Sequence, residues 1–104
     1  MQGDGGRRLA ELRSRVDRIN LELLALLQRR GEVVLSIAEV KRELGREGFD
    51  PRREEEMLRS LVRQSEGPFG PGELRGIFRA IFRASLELQD RCLRPLRRPN
   101  AVGE

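Results

Sequence analysis

The chain has 104 residues, a net charge of +4 and an isoelectric point near 10.8, with 38% hydrophobic and 37% charged residues. Acidic residues alternate with basic ones along its length, Trp and Tyr are absent and no basic block forms a tail, so the composition argues against nucleic-acid binding. The lone Cys92 and the absence of His leave no intrachain disulfide and no ordinary zinc site, and no apolar run nears the roughly 20 residues of a membrane span, which points to a cytoplasmic protein.

Residues 1–6, MQGDGG, lack periodicity and are expected to form a flexible lead-in. From Arg7 or Arg8 to Leu44, apolar residues recur in steps of three and four through Leu9, Leu12, Val16, Ile19, Leu23, Leu26, Val33, Ile37 and Leu44. This spacing predicts one long helix, stopped by Gly45. At 1.5 Å per residue it would extend about 55 Å, against a radius of gyration of ~13 Å for a compact chain of this size. A second copy is therefore expected to cover the seam in an intertwined homodimer, with a helix broken at Gly31 as the monomeric alternative.

The seam is interrupted twice by charge, at Arg30 and at Lys41. A buried charge without a partner costs about several kcal/mol, so each cation needs a counterpart or a task. Lys41 is also the only lysine in an arginine-rich chain, a compact ammonium where guanidinium is otherwise the rule.

Asp50-Pro51 reads as N-cap and first helical residue of a second helix reaching about Gln64, with Met57, Leu58, Leu61 and Val62 inward. Glu54 falls one helical step before Leu58, on that inward face. The segment EGPFGPG enforces a break, and a third helix is expected from Pro71 or Gly72 to Leu93, burying Leu74, Ile77, Phe78, Ile81, Phe82, Leu88 and Cys92. Ser85 and Gln89 lie within its stripe. Pro95 is expected to end it, with residues 95–104 as a flexible tail.

Each inward polar residue taken alone fits a structural role: a register-setting arginine, its salt-bridge glutamate, or a small serine at a tight helix crossing. Taken together, Arg30, Lys41, Glu54, Ser85 and Gln89 give two cations against one anion, which suits an anionic ligand. Arg13 lies about 25 Å before Arg30 along a helix, out of reach of a small ligand held there, but a partner's Arg13 could arrive in a crossed dimer.

From Leu9 to about Arg91 the chain resembles the all-helical chorismate mutases. The resemblance rests on LRSRVDRINLELLALLQRR with Arg13 and Arg30, on Lys41, on DPRRE with Asp50, Arg53 and Glu54, and on Ser85 and Gln89. The wording FDPRREEEML, GPF and IFRAIFRASLELQ is most similar to the mutase domain that many bacteria fuse to 3-deoxy-D-arabino-heptulosonate 7-phosphate synthase. The resemblance implies an all-α fold of one long and two shorter helices in an intertwined homodimer, with residues 7–94 as the mutase domain and no cofactor. It implies that Arg30, and Arg13 from the other chain, bind the two carboxylates of chorismate, with Ser85 assisting. Lys41 and Gln89 would bond the ether oxygen, Lys41 would also touch the side-chain carboxylate, and Glu54 with backbone near Asp50 and Arg53 would hold the ring hydroxyl.

Two further readings stay open on these residues: an isochorismate-pyruvate lyase, whose substrate is a similar dianion, and a prephenate- or chorismate-sensing domain that regulates a synthase, fused or separate. A basic helical adaptor, the plainest reading, gives no reason for Lys41.

Overall fold

A computed structural model describes residues 2–46 and 49–97. These form three helices, α1 Gln2–Glu43, α2 Pro51–Gln64 and α3 Pro71–Arg97, with no strand among the described residues. No helix among them is long and apolar enough to cross a membrane.

Two ends differ from expectation. Helix α1 begins at Gln2, so the Gly-rich lead-in is helical from that residue onward. Each Gly costs about 1 kcal/mol relative to Ala, yet extending an existing long helix needs no new nucleus, and Asp4 complements the positive helix start. Helix α3 runs past Leu93 and through Pro95 to Arg97. A proline this close to a helix end removes one hydrogen bond and does not stop the helix there. Residues 98–104 of the expected tail lie outside the described residues. The helix α1 also continues through Gly31, where a break was the alternative.

The chain falls into two units, Met1–Val33 and Val34–Glu104. In the first, the predicted apolar seam lies open, with Leu9 48%, Val16 55% and Ile19 52% exposed. In the second, the core is Ala38, Leu58, Phe82 and Leu93. Burying a side chain such as Leu58 contributes about 1.5–3 kcal/mol. Phe78 and Phe82 add a tilted ring pair at 6.3 Å between centroids.

Not all of the predicted α3 stripe is covered. Ile77 and Cys92, expected inside, are exposed, while Phe78 and Ile81 are half-buried. The apolar stripe is wider than the surface its neighbours in this unit cover, so its edge remains in solvent.

Helix starts follow from local chemistry. Asp50 is extended (φ −119°, ψ 92°) and its carboxylate accepts the Arg53 N–H at 3.2 Å, while Pro51 supplies a residue without an N–H at the first position. At α3 the Gly70 N–H donates to Glu73 Oε1 at 2.8 Å, the returning half of a capping box. Between α2 and α3, Glu55 accepts from Arg75 Nη1 at 3.0 Å and lies 3.8 Å from Arg79 Nη2.

Candidate functional site

The last turn of α1 carries Lys41 and is closed by a paired backbone cap. The Arg46 N–H donates to the Lys41 carbonyl at 2.7 Å, the Gly45 N–H to the Arg42 carbonyl at 3.1 Å, and Gly45 has φ +69°. This is the Schellman arrangement, in which the left-handed residue is best a glycine because a Cβ there is strained. The residue bearing the ammonium thus has its own carbonyl tied down.

Around this turn Val34, Leu35, Lys41 and Arg42 are half-buried and Ala38 is buried, while Val33, Ile37, Val40 and Leu44 are exposed. At 3.6 residues per turn, Lys41 lies about 40° from Ile37 and about 60° from Ala38. It therefore sits at the border between the packed face and the open seam. In the single chain this seam, which a second copy is expected to cover, is open, and Lys41 is half-buried at its edge.

On α2, Glu54 is half-buried and its N–H donates to the Asp50 carbonyl at 3.2 Å. Asp50 and Arg53 are exposed, and the Arg53 N–H is already engaged by the Asp50 carboxylate in the cap. On α3, Ser85 and Gln89 are half-buried, and Ser85 Oγ donates to the Ile81 carbonyl at 2.8 Å. That bond holds the hydroxyl close to the helix. The second unit thus brings in one cation, one anion and two neutral polar groups, each partly withdrawn from water: Lys41, Glu54, Ser85 and Gln89.

The remaining sequence candidates belong to the first unit. Arg30 is half-buried and Arg13 is exposed, both on α1.

The structure also reveals a feature that the reading of inward positions missed. Phe49, Glu54, Arg79, Arg83 and Leu86 line an open cleft of about 200 Å³. The signal was present in the sequence, where IFRA occurs twice in succession, at residues 77–80 and 81–84. A spacing of four places Arg79 and Arg83 on one helical face, with Leu86 a further step of three along.

Among the charged groups, Glu55 has a carboxyl held below the usual carboxylate range. The hydrogen bond from Arg75 is the main cause, helped by the charges of Arg75 and Arg59 and opposed by partial burial. It ties the two helices that carry Glu54, Ser85 and Gln89.

Comparison with known proteins gives a consistent result. Residues 12–90 match the family described as chorismate mutase type II. Over 85 residues, 78% of the chain, it is 35% identical to the bifunctional chorismate mutase/prephenate dehydratase of Aquifex aeolicus (strain VF5), and it spans 24% of that protein's length. The solved chorismate mutase of Thermus thermophilus is similar in both of its forms, at 46% identity. For Form II the TM-score is 0.78, covering 81% of this chain and 96% of the solved one. For Form I it is 0.73, covering 75% and 98%. With a family match over most of its length and three helices that superpose on a solved mutase, the chain belongs to the chorismate mutase type II family.

Proposed function

We propose that the chain rearranges chorismate to prephenate, with Lys41 and Gln89 as the catalytic donors. The observation that carries this reading is that Lys41, Glu54, Ser85 and Gln89 are all half-buried in one unit of a chain belonging to the mutase family. The reaction is a pericyclic bond exchange: the ether C–O bond breaks as a C–C bond forms, and no external nucleophile, reductant or proton donor enters the balance.

What accelerates such a step is restraint of the reactive conformer and stabilisation of negative charge growing on the ether oxygen. Lys41 and Gln89 supply donors at that oxygen. Arg30, with Ser85, holds a carboxylate, and Glu54 accepts the ring hydroxyl beside the Asp50–Arg53 backbone.

We further propose a homodimer in which the partner copy contributes Arg13. The open apolar seam of α1 supports this, since exposed stripes of this kind mark association surfaces. The likeness of FDPRREEEML to synthase-fused mutase domains supports a second role beside a 3-deoxy-D-arabino-heptulosonate 7-phosphate synthase, fused or separate.

The test is direct assay of the purified chain with chorismate, following its loss and the appearance of prephenate. Turnover is expected without added cofactor. No turnover by a folded protein at millimolar substrate would overturn the reading, and pyruvate release from isochorismate in its place would identify the lyase.

A further inference from the structure

Two acids stand side by side on α2, and their surroundings differ. The Glu55 carboxylate accepts from Arg75 Nη1 at 3.0 Å and has Arg59 at 3.5 Å and Arg79 at 3.8 Å. The Glu54 carboxylate has no ion pair within 4.0 Å among the described residues, although Arg79 lines the same cleft as Glu54. Arg79 thus belongs to both neighbourhoods, and it is Glu55 that engages it.

A guanidinium keeps its charge throughout the working pH range and rides on a long, jointed stem, so an arginine released by one carboxylate takes the next within reach. For Arg79 the next is Glu54, the adjacent residue on α2 and part of the same cleft wall. A carboxylate taken by a guanidinium has acceptor sites occupied, and a ligand hydroxyl must then compete with a charge-assisted pair. Arg83 lies one turn later on α3, also lines the cleft, and has no ion pair within 4.0 Å among the described residues. Lining the cleft is therefore not enough to bring an arginine onto Glu54. Arg79 differs because it already reaches the acids of α2.

We propose that Glu55 is a positioning residue of the mutase site: it holds Arg75 and Arg79 across the α2–α3 contact and so keeps the Glu54 carboxylate open for the substrate hydroxyl. What Glu54 accepts rests on the proposed function, whereas the choice of Arg79 between the two acids belongs to the fold alone. The expected effect has the opposite sign to that of simple charge. Removing an acid near a site for a dianion strengthens binding through the field of the protein, while releasing Arg79 onto Glu54 weakens it.

Glu55→Gln keeps an oxygen for Arg75 and removes the charge that holds Arg79, and with the Glu55 side chain 37% exposed the variant should fold. Steady-state kinetics on the full chain should show KM for chorismate raised about fivefold with kcat nearly unchanged, the mark of lost ground-state binding. Adding Arg79→Gln should return KM to within about twofold of the parent, while adding Arg83→Gln should not. Arg75→Gln breaks the 3.0 Å bond between the helices and leaves Glu55 to Arg79, so it should lower Tm and keep the parent KM. In NMR spectra at neutral pH, the Glu54 carboxyl carbon and Arg79 Nε should both shift in Glu55→Gln, with the Glu54 signal returning when Arg79→Gln is added. An unchanged or lowered KM in folded Glu55→Gln overturns the role of Glu55. So does absence of rescue by Arg79→Gln, equal rescue by Arg83→Gln, or a KM in Arg75→Gln that rises as Tm falls. The NMR shifts in a chain that never turns over chorismate defeat the mutase reading alone, and turnover without them defeats the positioning role alone.

Discussion

Glu55 of α2 accepts a hydrogen bond from Arg75 of α3 at 3.0 Å, and Arg59 and Arg79 approach the same carboxylate at 3.5 and 3.8 Å. One side chain thus gathers three cations across the two helices that carry Glu54, Ser85 and Gln89. Because its folded carboxyl titrates below the ordinary value, its contribution to stability is present above that value. The contribution is lost as pH falls below about 4.5 and through the folded pKa. Glu55→Gln should therefore lower Tm modestly at neutral pH and flatten the fall of Tm on acidification. Thermal melts from pH 7 to pH 3 read both effects, and high salt should shrink the difference because the pair is partly exposed.

On its proposed role, Lys41→Ala should lower kcat for chorismate by about a hundredfold or more, because it would remove a donor from the oxygen on which charge develops. Lys41 is only half-buried, so the variant should fold and melt close to the parent. Steady-state kinetics beside a thermal melt separates the two effects. A loss below tenfold in a folded variant counts against the assigned role.

Arg13→Ala and Lys41→Ala chains should each be nearly inactive alone. Mixed under conditions that exchange subunits, they should regain activity, because one of the two sites in a heterodimer would be intact. Kinetics on the mixture, with exchange confirmed by native mass spectrometry, tests the crossed contribution of Arg13. No recovery after confirmed exchange argues for a site built within one chain.

Asp50→Ala removes the acceptor for the Arg53 N–H and should cost about 0.5–2 kcal/mol of stability. Asp50→Asn should recover most of it, which chemical denaturation can measure. Restored stability with activity still reduced would place Asp50 in substrate contact as well as in the cap.

The three helices were legible because their punctuation is chemical: Gly45 at a left-handed cap, Asp50-Pro51 at a helix start, and Pro71 after Gly70. The inward polar residues were legible by helical period, and Lys41, Glu54, Ser85 and Gln89 are indeed half-buried. Period alone does not say how much of an apolar stripe one chain covers, which is why Ile77 and Cys92 were expected inside and lie exposed. Nor does an apolar period single out outward residues such as Arg79 and Arg83, which the structure sets beside Phe49 and Glu54. The early start of α1 and the passage of α3 through Pro95 escaped because a long helix tolerates poor formers at its ends.

The end of α1 and the start of α2 are two separate clasps. Arg46 is tied to Lys41 in one, and Asp50 to Arg53 in the other, each within its own helix end. A side chain placed at Gly45, whose φ of +69° favours glycine, would therefore loosen the turn that bears Lys41 and leave the clasp of α2 untouched.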